Sequence, residues 1–158
     1  MRVKTLLTQA VFAKMGGAAE NVALPHTWNA LDGQGAADNY YRGRCVYRKT
    51  VMGYDGNVFL EINGASIVCE VFVNGAFVGR HENGYSMFRY DITEFLRDGK
   101  NLLEIAVDNS ANEFLYPEMA DFTFYGGLYR DVNIIAVSES HFELDYYGGR
   151  GIAITPKV

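Results

Sequence analysis

The chain has 158 residues, 49% of them hydrophobic and 14% aromatic, with a formal net charge of −5. That length fits one domain able to bury about two-thirds of its unfolded surface, and the composition is globular rather than disordered. The acidic balance gives no basic stripe for a phosphate backbone, and no apolar run approaches the about 18 residues of a membrane helix, so neither nucleic acid nor a membrane is an expected partner.

The N-terminal stretch has some marks of a signal peptide: Arg2 and Lys4 precede Leu6 and Leu7, and alanines follow. Its apolar core is short, and Thr8 and Gln9 interrupt it. Residues 6–14 are therefore read as a first strand, and the expected location is cytoplasmic, or periplasmic or secreted if the natural N-terminus differs. Next come runs that alternate with period two and are rich in Val, Ile, Phe and Tyr: 45–52, 58–62, 67–73, 77–80, 86–90, 102–107 and 131–137. Short strands at this spacing predict an all-β sandwich or barrel.

The turns between them have physical causes. Asn74-Gly75 is a hairpin signal because both residues tolerate positive φ. Asn63-Gly64 and Asp98-Gly99 are read the same way. Asp91-Ile92-Thr93-Glu94 resembles a capping box and predicts one helical turn ending near Gly99. Two long loops, 32–44 and 110–127, are rich in aromatic and hydrogen-bonding residues, and loops of this length usually carry function. Residues 151–155 read as a last strand with nothing after it to pair with.

Most catalytic signatures are missing. No Gly-rich phosphate loop precedes a helix and no nucleophile elbow occurs. His26, His81 and His141 have no metal-ligand spacing with the cysteines, and His81 is read as structural. Cys45 and Cys69 lie in strands and are read as buried free thiols. Asp121 stands out as a carboxylate on an aromatic loop just before a strand. It would either accept paired hydrogen bonds from vicinal hydroxyls or cap its own turn, and the residues leave both open. Arg130, entering the next strand, is read as structural, a candidate partner for a buried carboxylate.

Several segments together resemble one family. They are Leu24-Pro25-His26-Thr27-Trp28-Asn29, then Tyr40-Tyr41-Arg42-Gly43 with Val46-Tyr47-Arg48-Lys49. Val73-Asn74-Gly75, Val78-Gly79, His81, Gly84-Tyr85, Phe88 and Asp91-Ile92-Thr93 follow, and Gly126-Gly127-Leu128-Tyr129-Arg130-Asp131-Val132 completes the set. The set is similar to the N-terminal sugar-binding module of glycoside hydrolase family 2, the β-galactosidase/β-glucuronidase type. The resemblance implies a galactose-binding-domain-like jelly roll over 1–138. Residues 139–158 would then be a linker and the first strand of an immunoglobulin-like domain, with a (β/α)₈ barrel beyond. It implies a retaining exo-β-glycosidase, β-galactosidase-like, whose catalytic glutamates sit in that barrel.

A glycosidase needs two carboxyls flanking the scissile bond, about 5–5.5 Å apart for retention, and no such pair is recognisable here. The chain alone is expected to be inactive, so no catalytic residue is assigned. By the same resemblance an Asp nine residues before the signature Arg binds the terminal sugar. Asp121 stands nine residues before Arg130, and Asn39 is the assisting residue in the other loop. No cofactor is required of this domain, although the resemblance allows sodium or magnesium in a full-length enzyme. It implies a carbohydrate partner and contacts with the other domains of a parent chain, and it allows a homo-oligomeric parent. Two other readings stand beside it: a free-standing carbohydrate-binding module, and a purely structural buttress.

Overall fold

The computed structural model describes residues 2–32, 40–115, 123–144 and 151–157. Within them are ten strands and no α-helix: β1 (Arg2–Leu6), β2 (Gln9–Lys14), β3 (Glu20–Ala23), β4 (Arg44–Met52), β5 (Asn57–Ile62), β6 (Val68–Val73), β7 (Ala76–Glu82), β8 (Phe88–Asp91), β9 (Lys100–Asp108) and β10 (Val132–Val137). They form two antiparallel sheets. One has four strands in the order β1-β10-β5-β8, the other six in the order β3-β2-β4-β9-β6-β7. The fold is the expected all-β jelly-roll sandwich.

Period-two alternation decides which side chains fill it. In the six-stranded sheet Cys45, Tyr47 and Val51 of β4, Leu103, Ile105 and Val107 of β9, and Cys69, Val71 and Val73 of β6 turn inward. Val58, Leu60 and Ile62 of β5 and Val132 and Ile134 of β10 meet them from the other sheet. Cys45 and Cys69 both pair with Val107, on opposite sides of it. They are therefore two strand spacings apart, beyond disulfide reach, and both are free and buried.

The first strand differs from expectation. Residues 6–14 do not form one strand: the chain leaves the four-stranded sheet after Leu6 and enters the six-stranded sheet at Gln9. Buried Leu7 makes the crossing, its N–H bonded to Val132 O at 2.9 Å. Strand β3 has no β-branched run to announce it and exists because β2 offers it an edge. The helical turn is a short 3-10 turn, Thr93–Phe95. Asp91 starts it, its carboxylate accepting from the Thr93 N–H at 2.9 Å and the Thr93 hydroxyl at 2.5 Å. Asn74 and Gly75, with φ of 53° and 82°, form the hairpin turn as read. Asn63-Gly64 is instead a crossover between the sheets. A Cβ on Gly64 would lie 3.0 Å from Tyr129, so that glycine makes room rather than a turn. Residues 151–157 contain no strand.

The outer face of the four-stranded sheet is closed in an unforeseen way. Leu144 packs on Phe59, Ile135 and Val137, so β5 and β10 are buried on both faces. Beside it Glu61, 1% exposed, bonds Lys4 Nζ at 2.7 Å, and its second oxygen takes Arg89 Nη2 at 2.6 Å. Arg89 also donates to Leu144 O at 2.5 Å, clamping residues 139–144 to the sheet. Burial opposes ionisation of Glu61, but the hydrogen bonds and charges of Lys4 and Arg89 outweigh it and hold its carboxyl below the usual range.

Candidate functional site

Strand register places the described flanks of the two long loops side by side. Arg44, where β4 begins, pairs with Asp108, where β9 ends, and Asp108 also pairs with Val68 at the start of β6. Val68 in turn pairs with Glu82, the end of β7. The described residues beside these strand ends, 40–43, 63–67, 83–87, 109–115 and 123–131, therefore lie at one rim of the sandwich.

Two fully buried asparagines hold this rim together. Asn109 donates through Nδ2 to Asn29 Oδ1 at 3.1 Å and to Phe124 O at 3.0 Å, and its Oδ1 accepts the Gly43 N–H at 2.9 Å. Asn29 Oδ1 also accepts the Gly126 N–H at 2.8 Å, while its Nδ2 donates to Asp32 at 2.6 Å and to Tyr41 O at 2.8 Å. Asp32 takes the Tyr41 N–H at 3.0 Å, the Tyr40 hydroxyl donates to Phe124 O at 2.8 Å, and Arg42 Nε donates to Asn109 O at 2.7 Å. The Arg42 guanidinium also lies 4.9 Å from the centroid of the Phe124 ring. One polar knot thus fixes the chain on both sides of each long loop. A satisfied buried network of this kind specifies one arrangement, since each member loses a partner if any segment moves.

Packing completes the frame. Trp28, 8% exposed, stacks on Phe12 and donates to Tyr41 O at 3.3 Å. A Cβ on Gly126 would lie 2.0 Å from the Trp28 ring, so only glycine allows the backbone to lie against it. His26 Nδ1 meets the Tyr47 hydroxyl at 2.8 Å, and burial lowers the His26 pKa against the opposing charge of Glu20. Burial likewise raises the pKa of Tyr40 and Tyr47. All three are neutral structural groups near pH 7.

The sugar-contact candidates Asp121 and Asn39 lie outside the described residues. Their neighbours Tyr40 and Thr123 are described, and both belong to the framed rim. Arg130 has a different partner from the one expected: its Nη1 donates to Tyr85 O at 2.9 Å and Asn63 O at 3.3 Å, both backbone carbonyls rather than a carboxylate. Three strand glutamates are committed elsewhere. Glu61 is clamped as above, Glu70 bonds Arg44 at 2.6 Å and Arg80 at 3.1 Å, and Glu104 bonds Arg48 at 2.8 Å. Among the described residues no group of three or more His, Cys, Asp or Glu is placed to hold a metal ion. Asn29 and Asn109 were not legible as site residues, since an Asn beside a loop reads first as a turn former.

The sequence model of the sugar-binding domain of family 2 glycosyl hydrolases matches residues 15–138. A β-glucuronidase from Bacteroides fragilis is 33% identical over 147 residues, which cover 90% of this chain and 21% of the relative. A β-galactosidase from Thermoanaerobacter pseudethanolicus is 33% identical over 136 residues, covering 81% of this chain and 18% of that one. Among solved structures, an FMN-binding β-glucuronidase from Facaelibacterium prausnitzii L2-6 superposes with a TM-score of 0.89 at 47% identity, over 99% of this chain and 26% of that one. A putative β-galactosidase from Bacteroides fragilis superposes at 0.90 with 32% identity, again over 99% and 26%. The chain thus spans about a fifth of the length of the curated relatives it matches. Over residues 15–138, from just after β2 through β10, this chain belongs to glycoside hydrolase family 2 as its sugar-binding domain.

Proposed function

We propose that the chain is the non-catalytic N-terminal module of a retaining exo-β-glycosidase, β-galactosidase-like, and that it supplies one wall of the pocket for a terminal β-linked sugar. The observation that carries this reading is the Asn29–Asn109 knot, which fixes both flanks of the two loops bearing Asn39 and Asp121. A rigid frame under two polar, aromatic loops suits sugar recognition: rings stack on apolar faces and directed groups meet hydroxyls. Asp121 is the hydroxyl acceptor in this reading and Asn39 assists it. Each hydrogen bond from a sugar hydroxyl to a carboxylate contributes about 1.5–3 kcal/mol. Such bonds orient the ring for acid and nucleophile groups supplied by another domain.

Three strand glutamates support a non-catalytic role, because Glu61, Glu70 and Glu104 are each bound to a basic side chain. Incubation of the 158-residue chain with a chromogenic β-galactoside and a β-glucuronide is expected to release no product. Turnover that a single Asp or Glu substitution abolishes would overturn the reading.

A further inference from the structure

The rim that carries the long loops also carries a cleft that the Asn29–Asn109 knot does not use. Its walls are Ser66, Tyr85, Thr123, Tyr125 and Tyr129, and its volume is about 240 Å³. That lies below the about 300–1,000 Å³ of a pocket for a drug-sized ligand, which suits one six-membered ring rather than an oligosaccharide.

The aromatic side chains are exposed on an ordered frame. Tyr85 is 52% and Tyr125 47% exposed. The Asn83 side chain accepts the Tyr85 and Ser86 N–H groups at 2.8 and 3.2 Å, and Arg130 grips the Tyr85 carbonyl at 2.9 Å. The Tyr129 hydroxyl donates to Gly84 O, and the Arg130 guanidinium stands 5.3 Å from its ring centroid. The floor is tied by the bridge between Ser66 and Gly127. Large aromatic rings left in water on a fixed backbone offer contact area at little ordering cost. The lining surface is mostly apolar, although every lining residue carries a hydroxyl, and no charged side chain belongs to it.

We propose that this cleft is a subsite for one flat ring face, pyranose or aryl, belonging to the group joined to the terminal sugar. The placement rests on the role of Asp121 proposed above: Thr123 follows Asp121 by two residues, and two peptide units span at most about 7 Å. A ring seated against Thr123 and Tyr125 would thus neighbour a sugar held by Asp121, as the two halves of one glycoside must. The cleft itself stands on its own geometry.

The test is an NMR titration of the 158-residue chain with phenyl β-galactoside, methyl β-galactoside and phenol. Saturable shifts of the Tyr85, Tyr125 and Tyr129 ring signals and the Thr123 methyl are expected with the phenyl glycoside. Binding should weaken about tenfold in Tyr85→Ala and Tyr125→Ala, and Tyr125→Phe should restore it. Shifts reproduced by phenol alone assign the cleft to an aryl group and support the proposal; shifts reproduced in full by the methyl glycoside would seat the terminal sugar itself in the cleft and overturn it. Asp121→Ala should leave the tyrosine shifts caused by phenol in place, so loss of the Asp121 reading would not be mistaken for loss of this one. No shift with any of the three probes up to about 50 mM, above the millimolar affinity of one small ring, would overturn it. So would binding unchanged in folded Tyr125→Ala.

Discussion

Replacing Asn109 by Ala tests the frame under the proposed site, and its cost can be worked out bond by bond. The substitution removes three hydrogen bonds: from Nδ2 to Asn29 Oδ1, from Nδ2 to Phe124 O, and from the Gly43 N–H to Oδ1. Two of the abandoned partners keep another bond. Asn29 Oδ1 still accepts from Gly126 N–H, and Phe124 O still accepts from the Tyr40 hydroxyl. The half-buried Gly43 N–H has no second acceptor among the described residues, and leaving it unsatisfied costs up to the about 1–3 kcal/mol of a buried group. The two remaining lost bonds add about 0.5–1.5 kcal/mol each. The sum, about 2–6 kcal/mol, is a large share of the about 5–15 kcal/mol of a typical domain. Urea unfolding of the 158-residue chain should show it as a lower midpoint at unchanged slope. Thermal unfolding should show a fall of about 5–15 °C. Amide exchange should rise first at Gly43 and Gly126, because both amides are held by the knot. A loss below about 1 kcal/mol with exchange at Gly43 and Gly126 unchanged would refute the reasoning, since the knot would then not be what orders the loops.

The remaining predictions concern other parts of the molecule. Gly126→Ala should destabilise more than Gly75→Ala, since a Cβ at 126 meets Trp28 at 2.0 Å while nothing lies within 4 Å at 75; the Gly75 change should cost only the about 1–2 kcal/mol of a left-handed non-glycine residue, measured by urea unfolding. Glu61→Ala leaves Arg89, whose side chain is 8% exposed, without its carboxylate, and should cost about 3–5 kcal/mol. The pKa values of His26, His81 and Glu61 are all lowered in the fold. Their contributions are present above the unfolded values and lost as pH falls through the folded ones. Stability followed against pH should therefore hold near pH 7, decline below about 6.5 as the histidines charge, and decline again below about 4.3 as Glu61 protonates. Cys45, its thiol pushed up to about 12 by burial, and fully buried Cys69 should react with a thiol reagent only in denaturant.

What the sequence made legible is whatever depends on local rules. Alternating apolar runs gave β4, β5, β6, β9 and β10, because in each of them the inward residues recur every second position. Asn74-Gly75 gave the β6–β7 hairpin because φ chemistry is local. The crossing between β1 and β2 was hidden because Leu7-Thr8 has no turn residue; only the two sheets, which are non-local, require the chain to switch there. Glu61 looked like one more strand acid, and nothing in its neighbourhood announces that Lys4 and Arg89, 57 and 28 residues away, converge on it. Asn29 and Asn109, separated by 80 residues, were hidden for the same reason. Arg130 was legible as structural but not in its partners, since backbone carbonyls leave no mark on sequence. For the site, the loops were legible as loops, whereas the frame that makes them a rim follows from register.

The central claim is that this domain holds the terminal sugar for chemistry performed elsewhere in a longer chain. The most direct measurement is kcat/KM of Asp121→Ala in the full-length enzyme that carries this domain, with Asp121→Asn as the isosteric control. Two lost hydrogen bonds to a carboxylate, at about 1.5–3 kcal/mol each, predict a fall of about 10²–10⁴-fold, with the Asn variant recovering part of it. A kcat/KM within about threefold of the unsubstituted enzyme, in a protein that unfolds at the same urea concentration, would contradict the account.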